Sequence, residues 1–529
     1  MRIDKVYIKR HKNLVDFNID LNQNQMKTVL LGQNATGKSN FIEALILIFK
    51  YLDLSTESKR LFPGFDFQIT YRIGSYSIDV ESKMNKYNIL IDGQNIKSLK
   101  DFFSKEGKQK YQPKYVFTYY SGLSNKLKEH FWDHQNKFYE EIIKEDFKED
   151  NLDLLRKLFY VQLVHSYFVL LAYFSFEDEE KESIEFLNSV LHIKDIDSIL
   201  FVLKKPDWAK NRKESLEDIF WTAKGLVRNF LDKLWDCSIS PIYNHEDIRT
   251  DFRTYDPQDR LYLFIKDKKQ LKALAENYKS NTEFFKALES TYISKLISEV
   301  RIKVRKEDVD GSVTFKELSE GEQQLLTVLG LLKFTKDEDS LILLDEPDTH
   351  LNPIWKWRYI EFLDKVVNHP DTTQIIINTH DPLLIGSLMK EEVRIFRIDE
   401  NGKIYTEEPS IDPKGLGVEG ILTSELFGLP TTLDEETQQD LDKRNVLLIK
   451  QQEGNLTDTE QIELNTLFHK LDELGFSSTF RDPLYQKFIV ASKDQLKNRK
   501  KNYTKEELDA QDKMALEILE ELKKEEEKP

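Results

Sequence analysis

The sequence predicts an α/β protein: a mixed sheet with helices and an antiparallel meander, an inserted helical domain, and a helix-rich C-terminal extension. Three observations predict it. Apolar runs with the texture of buried strands, "MKTVLLG", "LILLD" and "TQIIIN", stand far apart in the chain. The segments "DFQITYRIG", "YSIDVES" and "YNILIDG" alternate between the two sides of a strand, with turns at Gly74 and Gly93. From about residue 123 to 245 the texture changes to long runs of Phe, Trp, Leu, Lys and Glu with little Gly or Pro.

Taken in order, residues 1–122 form a first lobe. Two strands, "RIDKVYIKR" and "MKTVLLG", lead into a Gly-rich loop, "NFIEALILIFKYL" has helical spacing, the meander follows, and "KYVFTYY" closes the lobe. Residues 123–245 are expected to be a helical insertion. Its apolar positions keep no heptad over three repeats, which predicts a compact lid instead of a coiled-coil arm. Residues 246–400 form a second lobe that opens on "RLYLFIKD" and completes one head with the first. Residues 401–529 form an acidic helical extension, a candidate partner-docking region, with "EILEELKKEEEK" as a solvated helix near its end.

Composition narrows the function classes. A chain of 529 residues is long enough for several domains and a large core. Its single cysteine, Cys237, excludes an internal disulfide or a cysteine zinc cluster and fits a reducing cytoplasm. The apolar stretch Leu158–Phe174 is interrupted by Gln162, His165 and Ser166, so it reads as a buried helix and not a membrane span. A net charge of −16 argues against coating nucleic acid with the whole surface.

The chemistry lies in a set of motifs. Gly32-Gln33-Asn34-Ala35-Thr36-Gly37-Lys38-Ser39 is a complete G-x-x-x-x-G-K-[ST] between a strand and a helix that continues with Asn40. Backbone N–H groups of such a loop wrap phosphates, Lys38 reaches the β and γ phosphates, and Ser39 ligates Mg²⁺. From average composition a chance match in a chain of this length arises about two per cent of the time. The run "LILLDEPDTH" ends in Asp345, a second metal ligand, and Glu346, placed to deprotonate the attacking water.

Leu318-Ser319-Glu320-Gly321-Glu322-Gln323-Gln324 resembles the signature of ABC ATPases, "DEPDTHLNP" resembles their D-loop with His350 and Asn352, and Thr379-His380-Asp381 resembles their H-loop. The resemblance implies an ABC-type P-loop ATPase head that uses ATP and Mg²⁺ and closes as a homodimer or an oligomer of dimers. In such a dimer Ser319 and Gly321 act in trans, and His380 joins Glu346 in catalysis. About 280 residues separate the loop of Lys38 from the signature. That spacing resembles chromosome-maintenance, recombination-repair and phage-defence ATPases and not transporters.

Closer still, "YYSGLS" (119–124), "FWTAKGLVRNFL" (220–231), "ILTSELFGLPTT" (421–432) and "RDPLYQKFIVA" (481–491) resemble the ATPase subunit of Septu-type phage defence. That resemblance implies a separately encoded HNH nuclease as partner. In retron-linked systems it also implies a reverse transcriptase with its RNA and DNA. No membrane partner is expected. The rival readings are a DNA-repair or chromosome ATPase, an OLD-like ATPase with its own Toprim nuclease, and a scaffold that binds ATP without turnover.

Against the Toprim reading, "NVLLIKQQEG" offers Glu453, but no Asp-x-Asp follows it, and Asp440-Leu441-Asp442 precedes it. His130 and His134 share the i, i+4 spacing of some metal sites, yet without a further ligand pattern they read as a solvated helix face. Basic clusters at Arg301, Lys303, Arg305 and Lys306 and at Lys497, Arg499, Lys500 and Lys501 read as solvated charge. One departure from the family stands out: the Q-loop glutamine has no obvious counterpart. Gln112 lies too early, which leaves Tyr119, Tyr120 or Ser121 to couple nucleotide to the insertion.

Overall fold

A computed structural model describes residues 1–122, 126–144, 156–209, 219–307, 312–330, 332, 339–367, 370–474, 476, 509–510 and 513–518. The chain divides into two compact units, one of Met1–Leu384 with Glu391–Glu408, the other of Ile385–Lys390 with Pro409–Pro529. The segment "RDPLYQKFIVA" and the cluster Lys497, Arg499, Lys500 and Lys501 lie outside the described residues.

The first unit has the α/β architecture expected of an ABC-type head. Its central sheet runs β18-β17-β3-β16-β15-β8-β9. The strands are β3 (Lys27–Gly32), β8 (Tyr115–Tyr120), β9 (Leu158–Tyr160), β15 (Ser340–Asp345), β16 (Gln374–Asn378), β17 (Val393–Ile398) and β18 (Ile404–Glu407). All neighbours are parallel except β17 and β18. The near-continuous apolar runs follow from this: β15 and β16 are buried at every residue, as strands covered on both faces must be. N-terminal β3 sits between β16 and β17, so the two ends of the first unit interleave within one sheet.

The alternating segments form the meander β2-β1-β4-β5-β6-β7, with β1 (Arg2–His11), β2 (Leu14–Asp20), β4 (Phe67–Ile73), β5 (Tyr76–Lys83), β6 (Lys86–Ile91) and β7 (Gln94–Asn95). Between it and the central sheet runs helix α1 (Lys38–Leu54). Phe41, Leu45, Ile48 and Leu52 of α1 share one core with Ile8, Phe17, Ile69 and Val80 of the meander and with Leu30, Leu341 and Ile376 of the central sheet. A helix apolar on nearly all sides is the kind that two layers can enclose.

The expected helical insertion over 123–245 holds strands as well as helices. Helices Trp132–Ile142, Val164–Ser175, Lys181–Leu191 and Gly225–Cys237 are present, but so are β9, β10 (Ile193–Lys204) and β11 (Ile239–Arg249). β10 and β11 join β12 (Tyr255–Ile265), β13 (Ile297–Lys306) and β14 (Ser312–Thr314) in an antiparallel sheet ordered β11-β12-β10-β13-β14. The apolar stretch from Leu158 likewise opens on a strand before its buried helix begins at Val164. Among the described residues no helix is long and apolar enough to cross a membrane.

In the second unit the helices Glu435–Gln452 and Asp458–Glu473 pack through Leu447, Leu464 and Leu467. Asp434 caps the first, and Thr457 with Glu460 forms a capping box on the second. The run "NVLLIKQQ" belongs to the first of these helices, with Glu453 at its C-terminal cap. Glu453 is therefore not at a strand end, the position a Toprim carboxylate requires.

Candidate functional site

Chain geometry at the end of β3 makes the loop. Gly32 has φ 144° and Gly37 φ 93°, and the residue between them with an unusual backbone, Ala35, has φ 65°. A Cβ on Gly32 would stand 2.5 Å from the Phe396 carbonyl oxygen, and one on Gly37 would stand 2.8 Å from Leu14 Cδ2, so only glycine fits either place. Thr36 Oγ1 donates to the Gln33 carbonyl at 2.8 Å. Gln33, Asn34 and Ala35 are exposed at the tip. Gly37 gives α1 no side-chain cap, which leaves its first N–H groups for an anion.

Lys38 is buried beneath that tip, and its Nζ donates to the carbonyls of Gly32 at 2.8 Å and Gln33 at 3.0 Å. Burial brings its pKa down to about 8 although Asp345 and Glu346 pull it upward. These are weak neutral acceptors for an ammonium, and phosphate oxygens would replace them readily.

The parallel register then lines up the neighbouring strand ends. Asp345 of β15 pairs with Asn378 of β16 on one side and with Tyr120 of β8 on the other. Asp345 is fully buried; its Oδ1 accepts from Ser39 Oγ at 3.1 Å and from Asn378 Nδ2. Among the described residues its Oδ2 is buried without a hydrogen-bond partner, and burial raises the pKa of Asp345. A hard cation would satisfy that oxygen. Ser39 Oγ and Asp345 Oδ2 are the oxygen donors Mg²⁺ takes when phosphates and water complete its shell.

Glu346 follows with φ 54°, a left-handed backbone that costs about 1 kcal/mol in a non-glycine residue. Its N–H donates to the Asn378 carbonyl at 2.9 Å. Its Oε1 lies 3.6 Å from His380 Nε2, and both side chains are partly exposed. Burial, and then the charge of Lys38, lowers the His380 pKa, so the imidazole is neutral at pH 7. A carboxylate beside a neutral imidazole at the mouth of a phosphate loop can hold a water and accept its proton.

The signature residues cluster with the D-loop of their own chain. Ser319 caps the helix Glu320–Leu325 through a capping box with Glu322, and Lys306 pairs with Glu322 at 2.5 Å. Leu318 and Gln323 are buried, and Gln323 Nε2 donates to the Leu318 carbonyl at 2.8 Å. A Cβ on Gly321 would stand 2.7 Å from the His350 carbonyl oxygen. Ser319 and Glu320 face solvent, with Glu320 3.1 Å from His350 Nδ1. Asn352 caps the helix Pro353–Val366 by accepting from the Trp355 N–H at 2.9 Å.

Sequence reasoning missed several residues that hold this arrangement. Asn13, in the turn after β1, donates to the Ala35 carbonyl at 2.9 Å and accepts from Asn40 at 2.7 Å, so it braces the loop from outside. Asn378 orients Asp345; its signal was a polar residue ending an otherwise apolar parallel strand. Thr379 donates to both oxygens of Asp348 at 3.0 Å, and burial lifts the Asp348 pKa to about 6. Gln112 is buried and donates to the Leu52 carbonyl, which makes it part of the core. Ser121 does reach the site: its N–H donates to the Asp345 carbonyl at 3.2 Å and its Oγ lies 2.9 Å from Thr349 Oγ1.

Comparison with known proteins follows the same lines. Residues 1–385 match the AAA ATPase domain family. The Septu protein PtuA of Bacillus mycoides (strain KBAB4) is 29% identical over 218 residues, 39% of this chain and 29% of that protein. The Septu protein PtuA of Bacillus thuringiensis is 25% identical over 213 residues, 37% of this chain and 51% of that protein. The chain thus spans about half, or less, of the length of these relatives. Among solved structures, an SMC head bound to the C-terminal winged-helix domain of ScpA is 12% identical with a TM-score of 0.32, covering 77% of this chain and 98% of that one. The SMC head domain from Thermotoga maritima is 13% identical with a TM-score of 0.29, covering 78% and 100%.

Proposed function

The chain belongs to the AAA ATPase domain family, and on that footing we propose that it binds and hydrolyses Mg²⁺-ATP in sites shared between two copies, as the ATPase subunit of a Septu-type anti-phage complex. One observation carries the chemistry. At the C-terminal ends of β3, β15 and β16 stand a buried lysine on weak acceptors, a buried carboxylate with one unmatched oxygen, and a partly exposed carboxylate–histidine pair.

In this reading Lys38 and the α1 N-terminus hold the phosphates, and Ser39 and Asp345 would hold Mg²⁺, which would supply charge neutralisation to the phosphates when bound. Glu346 takes the proton of the attacking water as its oxygen bonds to the γ-phosphorus and the bond to ADP breaks, while neutral His380 positions the water. Exposed Ser319 and the backbone at Gly321 complete the site of the opposite copy. The capped, D-loop-braced helix offers them as one rigid edge.

The Septu part is supported by the named relatives and by the motifs shared with that family. It carries the further proposal of a separately encoded HNH nuclease as partner, gated by opening and closing of the heads in the cytoplasm.

The test is a mixture of Ser319→Arg and Lys38→Ala, each inactive alone. Shared sites predict that the mixture regains part of the hydrolysis and that Ser319→Arg binds ATP but does not dimerise on sedimentation. Full hydrolysis and dimerisation by Ser319→Arg would refute the shared site.

A further inference from the structure

Ser121, which follows β8, donates its N–H to the Asp345 carbonyl at 3.2 Å, and the sequence holds no glutamine from Pro113 to His134. That stretch does contain a cation. Lys126 Nζ stands 5.3 Å from the centre of the Tyr120 ring, and Tyr120 is the register partner of Asp345. Lys126 is exposed, and among the described residues it forms no ion pair. Lys38 opens the helix that follows β3. In the sheet order β3-β16-β15-β8 the strand that ends in Asp345 therefore stands between the strand that leads to Lys38 and the strand whose terminal Tyr120 carries Lys126.

Position decides what the second lysine can touch. In the ATPase reading the phosphate chain would begin over the loop after β3, and its terminal end would reach toward Asp345. A cation on the far, β8 side of Asp345 would then stand nearest the terminal phosphate. It is also held in place. The next residue, Leu127, is fully buried in the core shared with α1, and His130, one short turn on, lies 3.1 Å from Glu43 of α1. An exposed ammonium on so fixed a base, resting on an aromatic face and with no carboxylate partner among the described residues, is suited to an anionic ligand that comes and goes.

We propose that Lys126 binds the γ-phosphate of ATP, standing where related heads use a glutamine, and so reports the presence of that phosphate to the segment that enters the insertion. This rests on the ATPase reading above. It adds a residue that discriminates ATP from ADP.

Calorimetry with Mg²⁺-AMP-PNP and with Mg²⁺-ADP tests it on the full chain. Lys126→Ala should bind AMP-PNP about tenfold more weakly, the worth of one charge-assisted contact, while ADP affinity stays within about twofold. Lys126→Arg should keep the wild-type preference. Turnover at saturating ATP should fall by about 10–100-fold in Lys126→Ala, as for loss of one donor to a transferring phosphoryl group. An unchanged ratio of AMP-PNP to ADP affinity in Lys126→Ala would overturn the proposal while leaving the ATPase reading intact. Failure of the wild-type chain to bind either nucleotide, or undiminished binding by Lys38→Ala, would overturn that reading and this inference with it.

Discussion

Helix α1 carries polar groups at two places, and their surroundings differ in kind. At its N-terminus Lys38 rests on two carbonyls, and Asp345 opposite Ser39 keeps a buried oxygen without a partner. Along its flank Glu43, Lys50 and Asp53 are just as buried, but each is matched. Glu43 holds Lys12 and His130, Lys50 holds Asp133 at 2.6 Å, and Asp53 holds His134 at 3.1 Å with Lys157 at 3.7 Å. Burial alone would raise the Glu43 pKa; the hydrogen bonds of His130 and Lys12 more than reverse it, to about 2. The same contest, settled by His134 and Lys157, holds the Asp53 carboxyl well below the usual range. Buried charge that the protein satisfies is architecture, and buried charge that it leaves unmatched marks where a ligand belongs.

The strongest way to break this comparison is at its ligand end. Lys38→Ala should weaken ATP binding by more than about 100-fold in calorimetry, because it removes the cation that cancels the phosphates. Its fold, read by circular dichroism, should be unchanged. Glu346→Gln should bind ATP normally and lose about 10²–10³-fold in turnover, since an amide can hold a water but cannot take its proton. Hydrolysis at the wild-type rate would move the base to another residue.

A smaller effect follows from the Lys38 pKa of about 8, which lies below the lysine value in the unfolded chain. Below that pH the ammonium is ready for ATP; above it, binding must take up a proton. ATP affinity should therefore hold from pH 6 to about 8 and fall above it, by up to about tenfold per unit, whereas Lys38→Arg should show no such decline. A flat wild-type profile would show that Lys38 stays charged throughout.

The smallest expected effect separates capping from chemistry at the D-loop. Asn352→Ala should cost about 1 kcal/mol of stability in denaturant melts, the worth of a helix cap, with ATP affinity of the isolated head unchanged. A drop in that affinity would place Asn352 within the cis site.

These two regions were not equally legible in the sequence. The loop Gly32–Ser39, Asp345, Glu346 and His380 could be read because each follows an apolar strand, and parallel strands gather their C-terminal ends on one side. The clasp on α1 could not. His130 and His134 showed a spacing shared with metal sites, and only the fold reveals Glu43 and Asp53 as their partners.

Strands β10 and β11 escaped for a related reason. β10 has irregular register against β13 near Asp195 and Ser198, which breaks its alternation, and its partners β12 and β13 lie far along the chain. β11 is an edge strand exposed on both faces, so it carries no period-two signal. The helices around them gave the segment its dominant texture. Asn13 was hidden by a different limit, since a turn asparagine has no sequence mark that distinguishes bracing a distant loop from closing its own turn.

Thermal melts of the wild-type chain, Asp345→Asn and Asp53→Asn, each with and without Mg²⁺-ATP, test the central claim most directly. Wild type should gain stability from the nucleotide through binding linkage. Asp345→Asn should be at least as stable as wild type without ligand, because it removes an unmatched buried charge, and should gain little when Mg²⁺-ATP is added. Asp53→Asn should lose about 3 kcal/mol from the broken clasp and still show the wild-type gain. If Asp345→Asn were the destabilised variant, or kept the full nucleotide-dependent gain, the buried carboxylate at the end of β15 would not be a metal ligand and the assignment of the site would fail.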